Sequence, residues 1–509
     1  MFQDFFGSSS RIYLDLGAPE AEAEATSKSR VSLIDVYEDY HDIIPALSGE
    51  RFIIIGRKGC GKSAFAEYIC ARSNFEPNLF AKFIRKSETN LERVVQIGKE
   101  IGIEIDSESL FRWIIYTNIL KLFANNNAIG ESKDFELLRQ FLKKNSGYID
   151  IREFEITSLI SKHGFDVSVE QLKRFAAKFN KNIEIKSERA PFYKLLPHLE
   201  EVIISALKSQ IEQSNNNEYV LFFDDLDIDF STENPLSAQS LVGLIRTCRY
   251  INNEIFGKNA ISAKVVILLR DDIEAYIASR FADTAKIFAS YSTKINWYQE
   301  ESIANENELN LKKFINRRIS YAMKKSDLPC NASDPWSSLV KYDQSTEQTR
   351  TTFKYITNQT LFRPRDLLLF FRPLSNGKFS YPLGRNEIST LSDAYVEELA
   401  KEIKNELSSF YTSIQIETIF NAIRGMLNHT PCSYSDALAE IQNHCKDMDG
   451  SAILDHLFDR SIVGSVTSTG WTTFKCRHAP NTSTTARLDK GGNIVVQYGI
   501  KNYVYKRYA

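Results

Sequence analysis

The stretch Arg51-Phe52-Ile53-Ile54-Ile55-Gly56-Arg57-Lys58-Gly59-Cys60-Gly61-Lys62-Ser63 runs from an apolar segment through a glycine-rich turn into a helical pattern. Residues Gly56 to Ser63 fit GxxxxGK[ST], and the flanking strand and helix are the context that this motif requires. Glycines let the backbone wrap close to an anion. The N–H groups of Gly59, Cys60 and Gly61, with the start of the following helix, offer it partial positive charge. Lys62 is expected to reach the β- and γ-phosphates of ATP, and Ser63 to place its hydroxyl on Mg²⁺. Arg57 and Lys58 complete the loop. Cys60 is expected to matter through its backbone, with a low-pKa thiol as the alternative.

A second signal lies downstream. Val220-Leu221-Phe222-Phe223 is an apolar run that ends in Asp224-Asp225-Leu226-Asp227. A buried strand ending in acid puts carboxylates at the C-terminal edge of a sheet, where phosphates bind. Asp224 is expected in the Mg²⁺ shell. Asp225 is the candidate to orient or deprotonate the attacking water, with Asp227 next in line. A third run, Lys264 to Leu269, ends in Arg270, which either senses the γ-phosphate or forms a structural ion pair with Asp271 or Asp272. Arg280 ends the next helix and is a candidate finger for a neighbouring subunit. Arg365, in Arg363-Pro364-Arg365-Asp366, opens a helix from which it could reach back to the nucleotide.

Strands alternating with helices predict an α/β fold, a parallel sheet with helices on both faces. Around it the patterning divides the chain. Residues 1–50 form a leader and entry segment, in which Ala18 to Ala25 is low-complexity with little to bury. Residues 51–85 and 191–300 form the core in two parts, and 86–190 a helical insertion. Residues 301–410 form a helical lid. In 411–509, three short helices and a small hairpin predict a winged helix-turn-helix.

Composition narrows the partners. A net charge of −2 over 509 residues excludes a simple polycation, so nucleic-acid binding needs a local patch. One exists after residue 461: Lys475, Arg477, Arg487, Lys490, Lys501, Lys506 and Arg507 face only Asp489. Trp471, Phe474, Tyr498, Tyr503, Tyr505 and Tyr508 are interleaved with them. Such a patch can contact DNA, and winged helices also dock proteins. His429, Cys432, His444, Cys445, His456, Cys476 and His478 are spaced too irregularly for zinc. No apolar run approaches the roughly 18 residues of a membrane span, and the N-terminus lacks a signal-peptide pattern. Seven cysteines without a CxxC pair fit reduced thiols in a cytoplasm.

The combination of GRKGCGKSA, FFDDLD, VVILLRDDI and RPRDLLLF resembles bacterial P-loop ATPases on the border of the STAND and AAA+ classes, with KAP and origin-recognition-like ATPases similar in style. Phe5-Phe6-Gly7 and Leu457 to Gly464 further resemble a poorly characterised bacterial family with a C-terminal winged helix. The resemblance implies an ATP-driven switch, regulatory or anti-phage, that works with a partner protein or as a homo-oligomer. An initiator- or loader-like ATPase gripping DNA and a nucleotide-gated scaffold with little turnover are the other readings. AAA+ proteins usually carry Asp-Glu after the acidic strand. Asp224-Asp225 is closer to STAND and KAP proteins and implies slow hydrolysis.

Overall fold

The computed structural model describes residues 13–26, 28–85, 106–126, 133–149, 164–212, 216–224, 235–299, 305–341, 351–377, 379–408, 410–466, 470, 472–477 and 487–507. They separate into two compact units. One comprises His41–Arg57 and Lys62–Lys294; the other joins Lys58–Gly61 to the described parts of 1–40 and 295–509.

In the first unit, β1 (Ile53–Ile55) is three buried isoleucines, as a central strand covered on both faces requires. It is followed by β2 (Leu79–Arg85) and by a two-stranded antiparallel pair, β3 (Asp166–Ser168) and β4 (Arg189–Pro191). Then come β5 (Glu218–Asp224), β6 (Ala263–Leu269) and β7 (Ser292–Lys294). Five of these form one sheet in the order β2-β5-β6-β1-β7, with every pairing parallel.

Successive side chains of β5 identify the two faces. Phe222 meets Phe65 of the helix Lys62–Arg72 edge-on, with ring centroids 5.9 Å apart. Phe223, pointing the other way, meets Phe111 of the helix Ser107–Ala124 at 6.5 Å. The core on the Phe223 face also takes in Leu199 and Val202 of the helix Phe192–Glu212, Leu244 of Pro235–Tyr250, and Ile273 and Ile277 of Asp271–Arg280. The helix Ser107–Ala124 is buried from Trp113 to Leu120 without interruption, and its contact with Phe223 makes this part of the 86–190 segment a direct cover for the sheet.

The second unit is largely helical. Its main helices are Asn310–Lys325, Thr352–Gln359, Pro364–Phe371 and Arg385–Leu407, then Ser413–Met426, Tyr434–His444 and Gly450–Asp459. Short strands β8 (Cys432–Ser433), β9 (Val463–Val466), β10 (Thr472–Thr473) and β11 (Asn493–Val496) form an antiparallel sheet in the order β10-β9-β11-β8. The last helix, Tyr498–Arg507, returns to the earlier helices: Tyr498 packs against Tyr355, and Gln497 donates to the carbonyls of Asn358 and Thr360. Residues on both sides of position 410 therefore share one compact unit.

Buried cations, among them Lys312 and Arg318, organise this unit. Lys312 is 2% exposed, with its ammonium 4.0 Å from the Trp336 ring centre, 4.5 Å from that of Phe353 and 3.5 Å from Glu306. Burial lowers its pKa to about 8, against the opposing pull of Glu306. Arg318 is paired with Glu24 through two contacts of 2.7 and 2.8 Å and also donates to Leu16 O. Glu24 is 3% exposed. The Ala-Glu stretch, read from composition as having little to bury, is thus held as the short helix Ala21–Glu24 by one buried carboxylate.

Candidate functional site

The C-terminal ends of β1, β6 and β5 lie side by side, with β6 between the other two. The chain leaves β1 through a helix on the Phe222 face and leaves β6 through a helix on the Phe223 face. Adjacent parallel strands whose connections depart over opposite faces open a crevice at their C-terminal ends, the usual ligand position in such sheets.

Gly56 follows β1, and its N–H donates to Leu269 O at 3.1 Å. Lys62 begins the helix and is 8% exposed; its ammonium donates to Gly56 O at 2.8 Å and Arg57 O at 3.1 Å. The turn is therefore closed on itself by its own lysine. Ser63 Oγ donates to Asp224 Oδ2 at 2.6 Å, and Asp224, ending β5, is 7% exposed. The structure thus brings together the serine and the aspartate expected to share a metal. A hydroxyl and a carboxylate are hard oxygen donors of the kind Mg²⁺ takes, and this ion commonly keeps waters or phosphate oxygens for its remaining positions. Among the described residues no group of three or more His, Cys, Asp or Glu gathers into a metal cage. A divalent ion at this pair would need oxygens from its ligand.

The apex of the loop belongs to the second unit. Gly59 has φ +78° and Gly61 φ +100°, conformations that L side chains rarely adopt. A Cβ on Gly59 would also come within 3.1 Å of Arg365 Cβ and Cδ. The apex carbonyls are held from outside the loop. Arg363 Nη1 donates to Lys58 O at 3.0 Å, Trp297 Nε1 donates to Cys60 O at 2.8 Å, and the Arg365 N–H makes a long 3.5 Å contact to Gly59 O. Cys60 is 4% exposed.

Arg365 thus lies against Gly59, but its guanidinium is engaged by Pro19 O, by Glu20 at 2.7 Å and by Glu402 at 3.5 Å. Sequence reasoning singled out this arginine and passed over Arg363, which is 2% exposed and paired with Asp366, Glu402 and Glu406. Burial pushes the Glu402 carboxyl up, with Arg363 pulling it back. Trp297 was also missed. Arg270 forms a two-point ion pair with Asp272, at 3.0 and 2.6 Å, so the ion-pair alternative is the arrangement present. Arg280 is exposed and stacks on Tyr276 of its own helix, 3.9 Å from the ring centre. Asp225 and Asp227 lie outside the described residues.

In the C-terminal patch, Lys475 pairs with Asp459, Lys490 with Asp455 and Lys506 with Asp393. Arg477 donates to Asn358 O. Phe474 and Tyr503 are buried, which removes them from any base-stacking surface, whereas Tyr498 and Tyr505 are exposed. Trp471, His478 and Tyr508 lie outside the described residues. His429 and His444 both face Glu440, and His456 contacts the Tyr411 hydroxyl at 2.6 Å. None of the seven cysteines is joined in a disulfide. Among the described residues no helix is long and apolar enough to cross a membrane.

No curated protein matches the chain. Residues 309–389 match the family model described as the FunZ-associated C-terminal helical domain, a span that contains Lys312 with both of its aromatic partners and the Arg363–Asp366 pair.

Proposed function

We propose that the chain binds ATP with Mg²⁺ at the glycine loop and hydrolyses it slowly, as a molecular switch. The observation that carries this reading is the 2.6 Å Ser63–Asp224 hydrogen bond, which joins two motifs 161 residues apart. In this reading the sheet unit is a P-loop NTPase domain related to the STAND and AAA+ border group. The Gly59, Cys60 and Gly61 amides and the Lys62 ammonium bind the phosphates, and Ser63 and Asp224 hold the metal. When bound, Mg²⁺ offsets charge developing on the phosphates. Asp225 follows Asp224 directly and orients or deprotonates the attacking water, with Asp227 as the alternative base. Phosphate release from Mg-ATP tests this. Asp225→Asn should retain ATP and lose turnover. Normal hydrolysis by that variant would move the base to Asp227, and no release by the wild type would favour a nucleotide-gated scaffold.

The C-terminal segment is read as a winged helix. Its elements follow the order helix, strand, helix, helix, three strands and a last helix, and β11 pairs with both β8 and β9. The pairing of Lys475, Lys490 and Lys506 with carboxylates favours docking to a protein, either a partner or another copy of the chain, over gripping DNA. Seven cysteines with no disulfide among them support a cytoplasmic setting.

A further inference from the structure

A glycine-rich loop binds an anion only if its N–H groups converge, and glycine gives the backbone many other conformations. Something must select the convergent one. In a trans peptide the C=O and the following N–H share a plane and point in opposite directions. Fixing the carbonyl of one residue therefore aims the amide of the next. The three carbonyls held from outside the loop are those of Lys58, Gly59 and Cys60, and the amides in the same peptide planes are those of Gly59, Cys60 and Gly61. These are the amides assigned to the phosphates above.

We propose that Trp297 and Arg363 are positioning residues for the glycine loop: they hold the Cys60 and Lys58 carbonyls on one side, so that the Gly61 and Gly59 amides face the anion on the other. The inference rests on the nucleotide reading of the loop. Both donors are held by neighbouring side chains of their own unit. The Trp297 indole is 8% exposed and packs against Tyr40 and Phe314, each with ring centroids 5.6 Å away. Its N–H reaches Cys60 O at 2.8 Å, a short bond for a neutral pair. Arg363 is locked by Asp366 and Glu402, which leaves Nη1 to Lys58 O and a longer contact to Glu406. Neither side chain needs to touch the nucleotide. Each acts by removing loop conformations in which the amides point elsewhere.

Trp297→Phe in the full chain tests the idea, because it keeps a ring against Tyr40 and Phe314 and deletes only the donor and part of the indole. Two measurements are made. Hydrogen exchange of the ligand-free protein should speed up in peptides covering residues 56–65 and stay as in the wild type across Ser107–Ala124. Titration with Mg-ATP should show affinity about fivefold weaker, the fold-change that one neutral hydrogen bond is worth. Unchanged exchange over 56–65 overturns the proposal, as does unchanged affinity despite faster exchange. If the wild type itself binds no Mg-ATP, the nucleotide reading fails separately, and the exchange rates still decide whether Trp297 fixes the loop.

Discussion

Replacing Arg363 by Met would leave three carboxylates around a neutral side chain. Arg363 is 2% exposed and contacts Asp366 at 2.7 Å, Glu402 at 2.9 Å and Glu406 at 3.4 Å, and Asp366 is fully buried. Removing one partner of a buried ion pair costs about 3–5 kcal/mol, because the remaining charge is uncompensated. For a unit of this size that is roughly a 6–20 °C drop in melting temperature. The loss should depend on pH. Glu402 is already held above the usual carboxylate range by burial, and Arg363 is the main force drawing it down. Without the guanidinium it rises further. A carboxyl with a raised folded-state pKa binds its proton more tightly folded than unfolded, so acid favours the folded form through it. The deficit relative to wild type should therefore be larger at about pH 8 than at about pH 5.5, because acid offsets it by protonating Glu402. Thermal unfolding followed by circular dichroism at the two pH values measures this. A drop under about 2 °C, or the same drop at both, would refute the assignment of Arg363 as the unit's central cation.

Other outcomes follow from single contacts. Gly59→Ala meets both a φ of +78° and a 3.1 Å approach to Arg365, so it should lose more than about 1 kcal/mol of stability along with Mg-ATP binding, as thermal denaturation and titration would show. Lys312 has a folded-state pKa of about 8 against an ordinary 10.5. Between these values the unfolded chain holds the extra proton, so wild-type stability should rise with pH relative to Lys312→Met; a pH-independent difference in urea denaturation would count against the burial argument. In the C-terminal patch, the lysine–carboxylate pairs predict no gel retardation of duplex or single-stranded DNA at low salt. Retardation whose salt slope flattens on replacing Lys501, Lys506 and Arg507 by Gln would favour the DNA-gripping reading.

The three central strands of the sheet were legible because each is an apolar run closed by a residue of different character: Ile55 by Gly56, Phe223 by Asp224, Leu269 by Arg270. The meeting of Ser63 with Asp224 could be anticipated because both motifs have a fixed place on a parallel sheet. The β3–β4 pair was not legible, since Asp166-Val167-Ser168 and Arg189-Ala190-Pro191 are short and chemically mixed. The helix Pro235–Tyr250 was passed over, although Leu241, Leu244, Ile245 and Cys248 carry a readable helical spacing. The loop's external supports were hidden for another reason. Trp297 lies 237 residues from Cys60, and Arg363 lies 305 from Lys58, and neither carries a local pattern that names its partner. The Ala18 to Ala25 stretch misled through composition: Glu24 is buried against Arg318, and only the fold places that arginine there.

Equilibrium titration of the purified chain with Mg-ATP decides whether the glycine loop holds a nucleotide. Saturable binding is expected, with a dissociation constant between about 1 μM and 1 mM. Lys62→Ala should weaken binding by about 10–150-fold, the range for a hydrogen bond to a charged group, while the sheet unit stays folded. Absence of binding by the wild type, or equally tight binding by Lys62→Ala, would contradict the nucleotide reading.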